Sequence, residues 1–186
     1  MASPQRPVSA LSPEHPLLGF LAQQPAHGYE LHQQLATHLG HIWHVSLSQT
    51  YNILTRLEAQ GFITGTIQQQ VKLPARRRFR LTAAGRRRFE AWLHSVTSCS
   101  VHAIRVDFTT RLYFVHALDP DKTRELIETQ IAETQHCLSH LHTMLTDLPP
   151  EQIFNHLGVE LRIRQLSSVI EWLAECGAAL GIQVAR

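Results

Sequence analysis

Apolar positions in the first sixty residues recur at helical spacing. From His15, the residues Leu17, Leu18, Phe20 and Leu21 trace one face until Pro25 and Gly28 interrupt it. In YELHQQLATHLG, Leu31, Leu35 and Leu39 follow on one face, and Gly40 stands where a helix would stop. HIWHVSLSQTYNILTRLEAQG then offers Ser46 as an N-cap, Leu47, Tyr51 (or Thr50), Leu54 and Leu57 as a buried stripe, and Gly61 as the end. Three short helices are predicted. After Gly61 the period changes: β-branched and aromatic residues recur in FITGTIQQQVKLPARRRFRLT, and Phe79 and Leu81 alternate with Arg78 and Arg80. This predicts two strands joined by a tip around Val71 to Ala75. Thr82 then caps a further helix, AAGRRRFEAWLHS, with Phe89, Trp92 and Leu93 turned inward.

Beyond Ser95 the pattern is helical again. IRVDFTTRLYFVHAL carries Ile104, Phe108, Leu112 and Val115 on one face and ends at DPDK, where Asp119 or Asp121 can cap the next helix. KTRELIETQIAETQHCLSHLHTML follows, with Leu126, Ile127, Ile131, Leu138, Leu141 and Leu145 near heptad spacing. DLPPEQ interrupts it. A last helix then places Ile153, Leu157, Leu161, Ile163, Leu166, Ile170 and Leu173 as its apolar positions. Three amphipathic helices without a strand cannot bury every apolar face among themselves, so a partner surface is expected, and a homodimer is the economical one.

The order helix, helix, helix, ribbon is that of a winged helix-turn-helix. The predicted fold class is therefore mainly α with a small β-ribbon: an N-terminal winged helix-turn-helix followed by a C-terminal all-helical dimerisation domain. The expected division is a flexible N-terminal arm over residues 1–14, the winged helix over 15–96 and the helical domain over 97–186. The arm, rich in Pro and Ser, has no continuous apolar stretch of the kind a secretory signal needs, and no later run approaches the length of a membrane span. No membrane partner and a cytoplasmic location are expected.

Charge sharpens this picture. The chain has 186 residues and a formal net charge of +2. Up to Ser95, however, ten Lys and Arg face four Asp and Glu, and from Val96 seven face eleven, so a +6 half precedes a −4 half. Seven arginines fall between Leu73 and Phe89 with no acid among them. A basic half suits a polyanion, and in a winged helix that polyanion is double-stranded DNA. The third helix enters the major groove and the ribbon reaches the backbone or minor groove. Its outer face carries Ser48, Gln49, Asn52, Thr55 and Arg56, hydrogen-bonding groups without a carboxylate. Ser48, Gln49 and Asn52 are the candidates for base edges. Tyr51, Arg56, Lys72, Arg76, Arg77 and Arg78 are the candidates for backbone contact or steering. Arg86, Arg87 and Arg88 fan around the following helix and cannot all face one surface.

HPLLGFLAQQPAHGYELHQQL, VSLSQTYNILTRLEAQGFI and PARRRFRLTAAGRRRFEAWL together resemble the PadR family of bacterial transcriptional regulators, in its branch with a long C-terminal helical region. The resemblance runs from about Leu17 to Leu93 and extends through RVDFTTRLYF. It departs at the ribbon tip, where QQQVKLPARRR lacks the glycines frequent in such wings. The resemblance implies a homodimer on a palindromic operator, more often a repressor, with a small aromatic effector known for some relatives.

Other chemistries are weaker. There is no GxSxG, no phosphate-cradling glycine loop and no HExxH, so an enzyme is not expected, and no cofactor is implied. Asp107 is better read as an ion-pair partner of Arg105 or Arg111, or as a cap, than as an acid or base. Thirteen histidines are unusual. His136 and His140, spaced i,i+4 with Cys137 and His142 nearby, form the beginning of a metal site; His38, His41 and His44 form a looser cluster. Exposed helix histidines are the stronger reading, with a metal- or pH-responsive regulator as an alternative. Three cysteines, an odd number without a CxxC pair, predict reduced thiols rather than a disulfide framework or a zinc site. Trp43, Trp92, Phe108, Tyr113, Phe114 and Trp172 are read mostly as core. The rival from another class is a winged-helix protein-interaction module, its arginines meeting an acidic partner.

Overall fold

The computed structural model describes residues 12–68 and 76–182. The chain forms two compact units, Met1–Ser95 and Val96–Arg186.

In the first unit α1 (Glu14–Gln23), α2 (Gly28–Leu39) and α3 (Leu47–Ala59) precede β2 (Ile63–Gln68) and β3 (Arg76–Leu81), and α4 (Ala83–Leu93) closes it. Between α1 and α2 lies a strand the hydrophobic pattern did not signal, β1 (Ala26–His27). Two residues are too few to display a period. The sheet is antiparallel in the order β1-β3-β2, with Ala26 opposite Phe79 and Gly65 opposite Phe79 on the other side. This is a winged helix-turn-helix. The expected tip between the strands lies outside the described residues.

Local chemistry explains the boundaries. The Ser46 hydroxyl accepts from Gln49 N–H (3.2 Å), and the Gln49 side chain accepts from Ser46 N–H (2.8 Å), a reciprocal capping box that starts α3. Gly61 takes φ +75°, a left-handed conformation that turns the chain from α3 into β2. Thr82 caps α4 by accepting from Gly85 N–H at 3.1 Å. A Cβ on Gly85 would meet the Phe62 carbonyl oxygen inside van der Waals contact, so a glycine is required where α4 crosses the sheet.

The core of this unit is Leu17, Leu18, Phe20, Leu31, Leu35, Leu54, Leu57, Ile63, Phe79 and Phe89, all buried. His15 stacks on Trp92, ring centroids 4.6 Å apart. The stripe expected on α3 needs correction: Thr50 and Ile53 are buried beside Leu54 and Leu57, whereas Leu47 and Tyr51 face solvent. Thr50 resolves its polarity locally, donating to the Ser46 carbonyl (3.0 Å) and meeting His32 Nδ1 of α2 (3.2 Å). Glu14, read from the sequence as the end of the arm, opens α1 and is buried.

In the second unit α5 (Val101–Ala103) runs through a π-turn, Ile104–Phe108, into α6 (Thr109–Leu118). A 3-10 turn, Pro120–Lys122, leads into α7 (Thr123–Asp147), which packs on α8 (Ile153–Ala179). Neither Asp119 nor Asp121 caps α7; Asp119 instead pairs with Lys122 at 3.2 Å. The core gathers Ile104, Phe108, Leu112, Ile127, Val169 and Leu173. Of the apolar positions named on α8, Leu166 and Leu173 are buried, while Ile153, Leu157 and Leu161 are exposed. No helix among the described residues is long and apolar enough to cross a membrane.

Two polar features organise this unit. Asp107 accepts a salt bridge from Arg111 (2.8 Å) one turn on, both side chains only 1% exposed, and a hydrogen bond from the Thr97 hydroxyl (2.9 Å). Burial lowers the Arg111 pKa, and the Asp107 charge opposes that shift. Cys99 and Cys137 are joined by a disulfide, which corrects the expectation of reduced thiols; only Cys176 is a free cysteine. Sequence spacing of 38 residues carried no sign that α7 would bring the pair together.

Removing one partner of a buried ion pair strands the other charge. Asp107→Ala is therefore expected to lower unfolding stability by about 3–5 kcal/mol in a urea titration. A double change to apolar residues, Asp107→Leu with Arg111→Met, is expected to recover much of that loss.

Candidate nucleic-acid interface

The interface is built on α3 and the wing. Successive helix residues turn by about 100°, so Ser48, Asn52, Thr55 and Arg56 fall on the face opposite Thr50, Ile53, Leu54 and Leu57. All four are exposed, as are Gln49 and Tyr51. The hydroxyl of Ser48 and the carboxamide of Asn52 are thus presented to solvent from the first two turns of the helix, where a groove-reading helix places its base contacts.

Gln49 is already committed in part. Its Oε1 accepts from Ser46 N–H in the capping box, which leaves the Nε2 donor for a base edge. A bidentate amide–adenine pair needs donor and acceptor together, which the exposed Asn52 carboxamide presents and the capped Gln49 side chain does not. Tyr51 lies over the start of α2, its ring so close to Gly28 that a Cβ there would collide with it.

Arg56 has a partner that the sequence did not reveal. Its Nη2 lies 2.7 Å from Oε1 of Glu14, to which its Nε–H also donates at 2.7 Å. Arg88 of α4 reaches Oε2 of the same carboxylate at 2.6 Å and lies 4.4 Å from the centre of the Phe62 ring. One buried carboxylate therefore ties α1 to α3 and α4. Of the second arginine cluster, Arg88 is structural, and Arg86 and Arg87 are exposed with no ion pair among the described residues.

The wing arginines divide by register. Arg76, Arg78 and Arg80 share one face of β3, opposite Gln68, Thr66 and Thr64 of β2, while Arg77 shares the other face with Phe79 and Leu81. At about 3.4 Å per residue the three like-facing guanidinium groups leave the strand ~7 Å apart. Arg77 is bound at 2.7 Å to Glu58 of α3, whose Oε1 also accepts from Gly65 N–H at 2.9 Å, and it lies 5.7 Å from the Phe79 ring centre. Arg78 donates to the Pro25 carbonyl at 3.2 Å. Arg76 and Arg80 make no ion pair among the described residues. Arg80, with its alternation legible in RRRFRL, belongs beside Arg76 as a candidate that the sequence reading left aside. Lys72 lies outside the described residues.

The second unit holds a cavity of about 460 Å³ between the π-turn region and α8, lined by Val101, Ile104, Arg105, Thr109, Gln165, Ser168, Val169 and Trp172. Trp172 is 38% exposed there and meets Phe108 edge-on, whereas Trp92, Phe108 and Phe114 are buried core. His136 and His140 are exposed on α7. No group of three or more metal-ligating side chains forms among the described residues.

Residues 17–91 match the transcriptional regulator PadR-like family, and residues 104–181 match the virulence activator alpha C-terminal family. The negative transcriptional regulator PadR of Bacillus subtilis (strain 168) is 28% identical over 129 residues, covering 69% of this chain and 70% of that protein. Among solved structures, Bacillus subtilis PadR in complex with operator DNA is similar with a TM-score of 0.45 at 22% identity, over 90% of this chain and 98% of that one. The same protein in complex with p-coumaric acid gives a TM-score of 0.40 at 22% identity, over 97% and 99%.

Glu14→Gln removes the charge shared by Arg56 and Arg88 while keeping the shape. It is expected to cost about 2 kcal/mol in denaturant unfolding, because Arg88 is mostly buried and Arg56 is half in water.

Proposed function

Starting from the match of residues 17–91 to the PadR-like family of transcriptional regulators, we propose that this protein is a cytoplasmic homodimeric repressor that binds a palindromic operator. The observation that carries the reading is the α3 face: Ser48, Gln49 and Asn52 exposed, capped and free of acids, on a helix whose other face is locked into the core. Ser48 and Asn52 read base edges, and Gln49 gives one donor. Arg76, Arg78 and Arg80 supply the wing's positive face to phosphates. Arg77 contributes charge near the backbone from its seat on Glu58, and Arg56, held by Glu14, steers rather than reads. Tyr51 contacts the backbone beside them, and Lys72, outside the described residues, is kept as a candidate phosphate contact from its charge alone. Repression is the sense carried by the name of the Bacillus relative.

The homodimer is supported by the apolar surface of the second unit. Ile153, Phe154, Leu157 and Leu161 of α8 are 56–88% exposed, a row spaced to form one stripe. Two copies joined there bring two recognition helices to two half-sites, which one helix per chain cannot read alone. A small aromatic effector fits the cavity beside Trp172, with Arg105 as the partner for a negative group.

Selection of bound sequences from a random DNA pool tests the reading. A palindrome with half-sites about one helical turn apart is the expected product; failure to retain any DNA at low salt would favour a protein-interaction module. Asn52→Ala is expected to cost about 1–3 kcal/mol on the selected operator and to relax one position in each half-site. Arg76→Ala is expected to weaken binding to all sequences and to flatten the slope of log affinity against log salt by about one unit.

A further inference from the structure

We propose that Cys99 and Cys137 form a reversible thiol–disulfide site whose redox state sets how firmly residues 98–101 are held on α7. The disulfide joins the segment just past the end of the first unit, Ser95, to the middle of a long helix. Noncovalent ties flank it. On one side Thr97 donates to Asp107 (2.9 Å) and its carbonyl accepts from Gln130 (3.3 Å). On the other side Ser100 caps α5 by accepting from Ala103 N–H at 3.1 Å, a bond internal to the segment. Between Thr97 and Ser100 the covalent bond is the anchor to α7.

Three observations separate this pair from a structural staple. The unit has its own apolar core and a buried Asp107–Arg111 pair, so it is not one of the small domains that need a cross-link in place of a core. Cys99 and Cys137 are both partly exposed rather than sealed in the core. Cys176, by contrast, has its thiol pushed up to about 11 by burial and by Glu175, which leaves it poorly reactive. The setting rests on the operator-binding reading: a DNA regulator works in a compartment where thiols are kept reduced, and a disulfide there is transient and redox-sensing.

The chemistry is thiol–disulfide exchange. A low-molecular-weight thiolate attacks one sulfur of the pair, breaking the S–S bond and releasing the other cysteine as a thiolate that takes a proton. A second external thiolate then attacks the external sulfur of that mixed disulfide and releases the second cysteine as a thiolate that takes a proton; two electrons and two protons have passed to the protein, and the two external thiols leave joined as their disulfide. Oxidation by a small disulfide such as oxidised glutathione runs the same steps in reverse. The released Cys99 thiol keeps one acceptor, the Glu133 carbonyl oxygen 3.4 Å away, so a weak contact replaces the covalent one.

The test equilibrates the full chain in glutathione buffers of graded ratio, quenches with acid, alkylates with iodoacetamide under denaturing conditions and weighs the intact protein. The expected result is one transition from a single label, at Cys176, to three. A pair that stays oxidised throughout, or never forms, overturns the proposal. Hydrogen exchange at residues 98–101 is then compared at the two ends of the titration: at least tenfold faster exchange is expected in reduced protein. Both Cys99→Ser and Cys137→Ser should show the fast rate in every buffer. Equal rates in the two redox states overturn it. If neither redox state retains DNA, the operator reading fails while the label count and exchange still decide the redox site.

Discussion

A single carboxylate ties together the helices of the first unit. Glu14 lies at the first turn of α1, out of water, and holds one arginine from α3 and another from α4. A buried charge is tolerated only when its partners are in place, so three helices must arrive together for the site to form. The arrangement also decides the chemistry of the outer face. Arg56 shares that face with Ser48 and Asn52, and the pull of Glu14 turns its guanidinium toward α1 and keeps a mobile charge away from the residues that would read bases.

Similar commitments run through the wing. Glu58 secures Arg77 and the Gly65 amide, fixing β2 and β3 against the end of α3, while the Pro25 carbonyl takes Arg78. Basic residues that look equivalent in the sequence thus have unequal duties. Arg77 and Arg88 serve largely as architecture, and Arg76, Arg80, Arg86 and Arg87 remain uncommitted among the described residues. Net charge alone would have counted them all alike. The field they generate is still shared, because a paired arginine half in water continues to contribute to the local potential when its carboxylate lies deeper.

Much of this was legible from residue order. The helices, the switch to a strand period after Gly61, and the caps at Ser46 and Thr82 follow from local rules that tertiary structure did not override. An ion pair at Asp107 was readable, with Arg105 and Arg111 both in reach, and the structure pairs it with Arg111 at i,i+4. What escaped depended on contacts between distant segments. Glu14 stands 42 residues from Arg56 and 74 from Arg88, and no periodicity links them. The disulfide needed the packing of α7 to become visible. Tyr51 and Thr50 compete for one helical position; the small residue went inside because its hydroxyl finds the Ser46 carbonyl, which a phenol at that depth would not. On α8 an apolar stripe was correctly seen, but periodicity cannot say whether such a stripe faces its own unit or another surface.

The π-turn at Ile104–Phe108 has a consequence for how this protein can diverge. It inserts one residue of slack into an otherwise continuous helix, with the Thr109 hydroxyl bonded back to Ile104 at 3.2 Å. Deleting a single residue there would restore the regular helix and rotate everything on one side of the turn by about 100°. A different side chain would then stand where Arg105 meets the cavity, while Phe108 and Leu112 downstream could keep their seats in the core. The lining of this cavity is therefore adjustable by chain length as well as by substitution, one residue at a time.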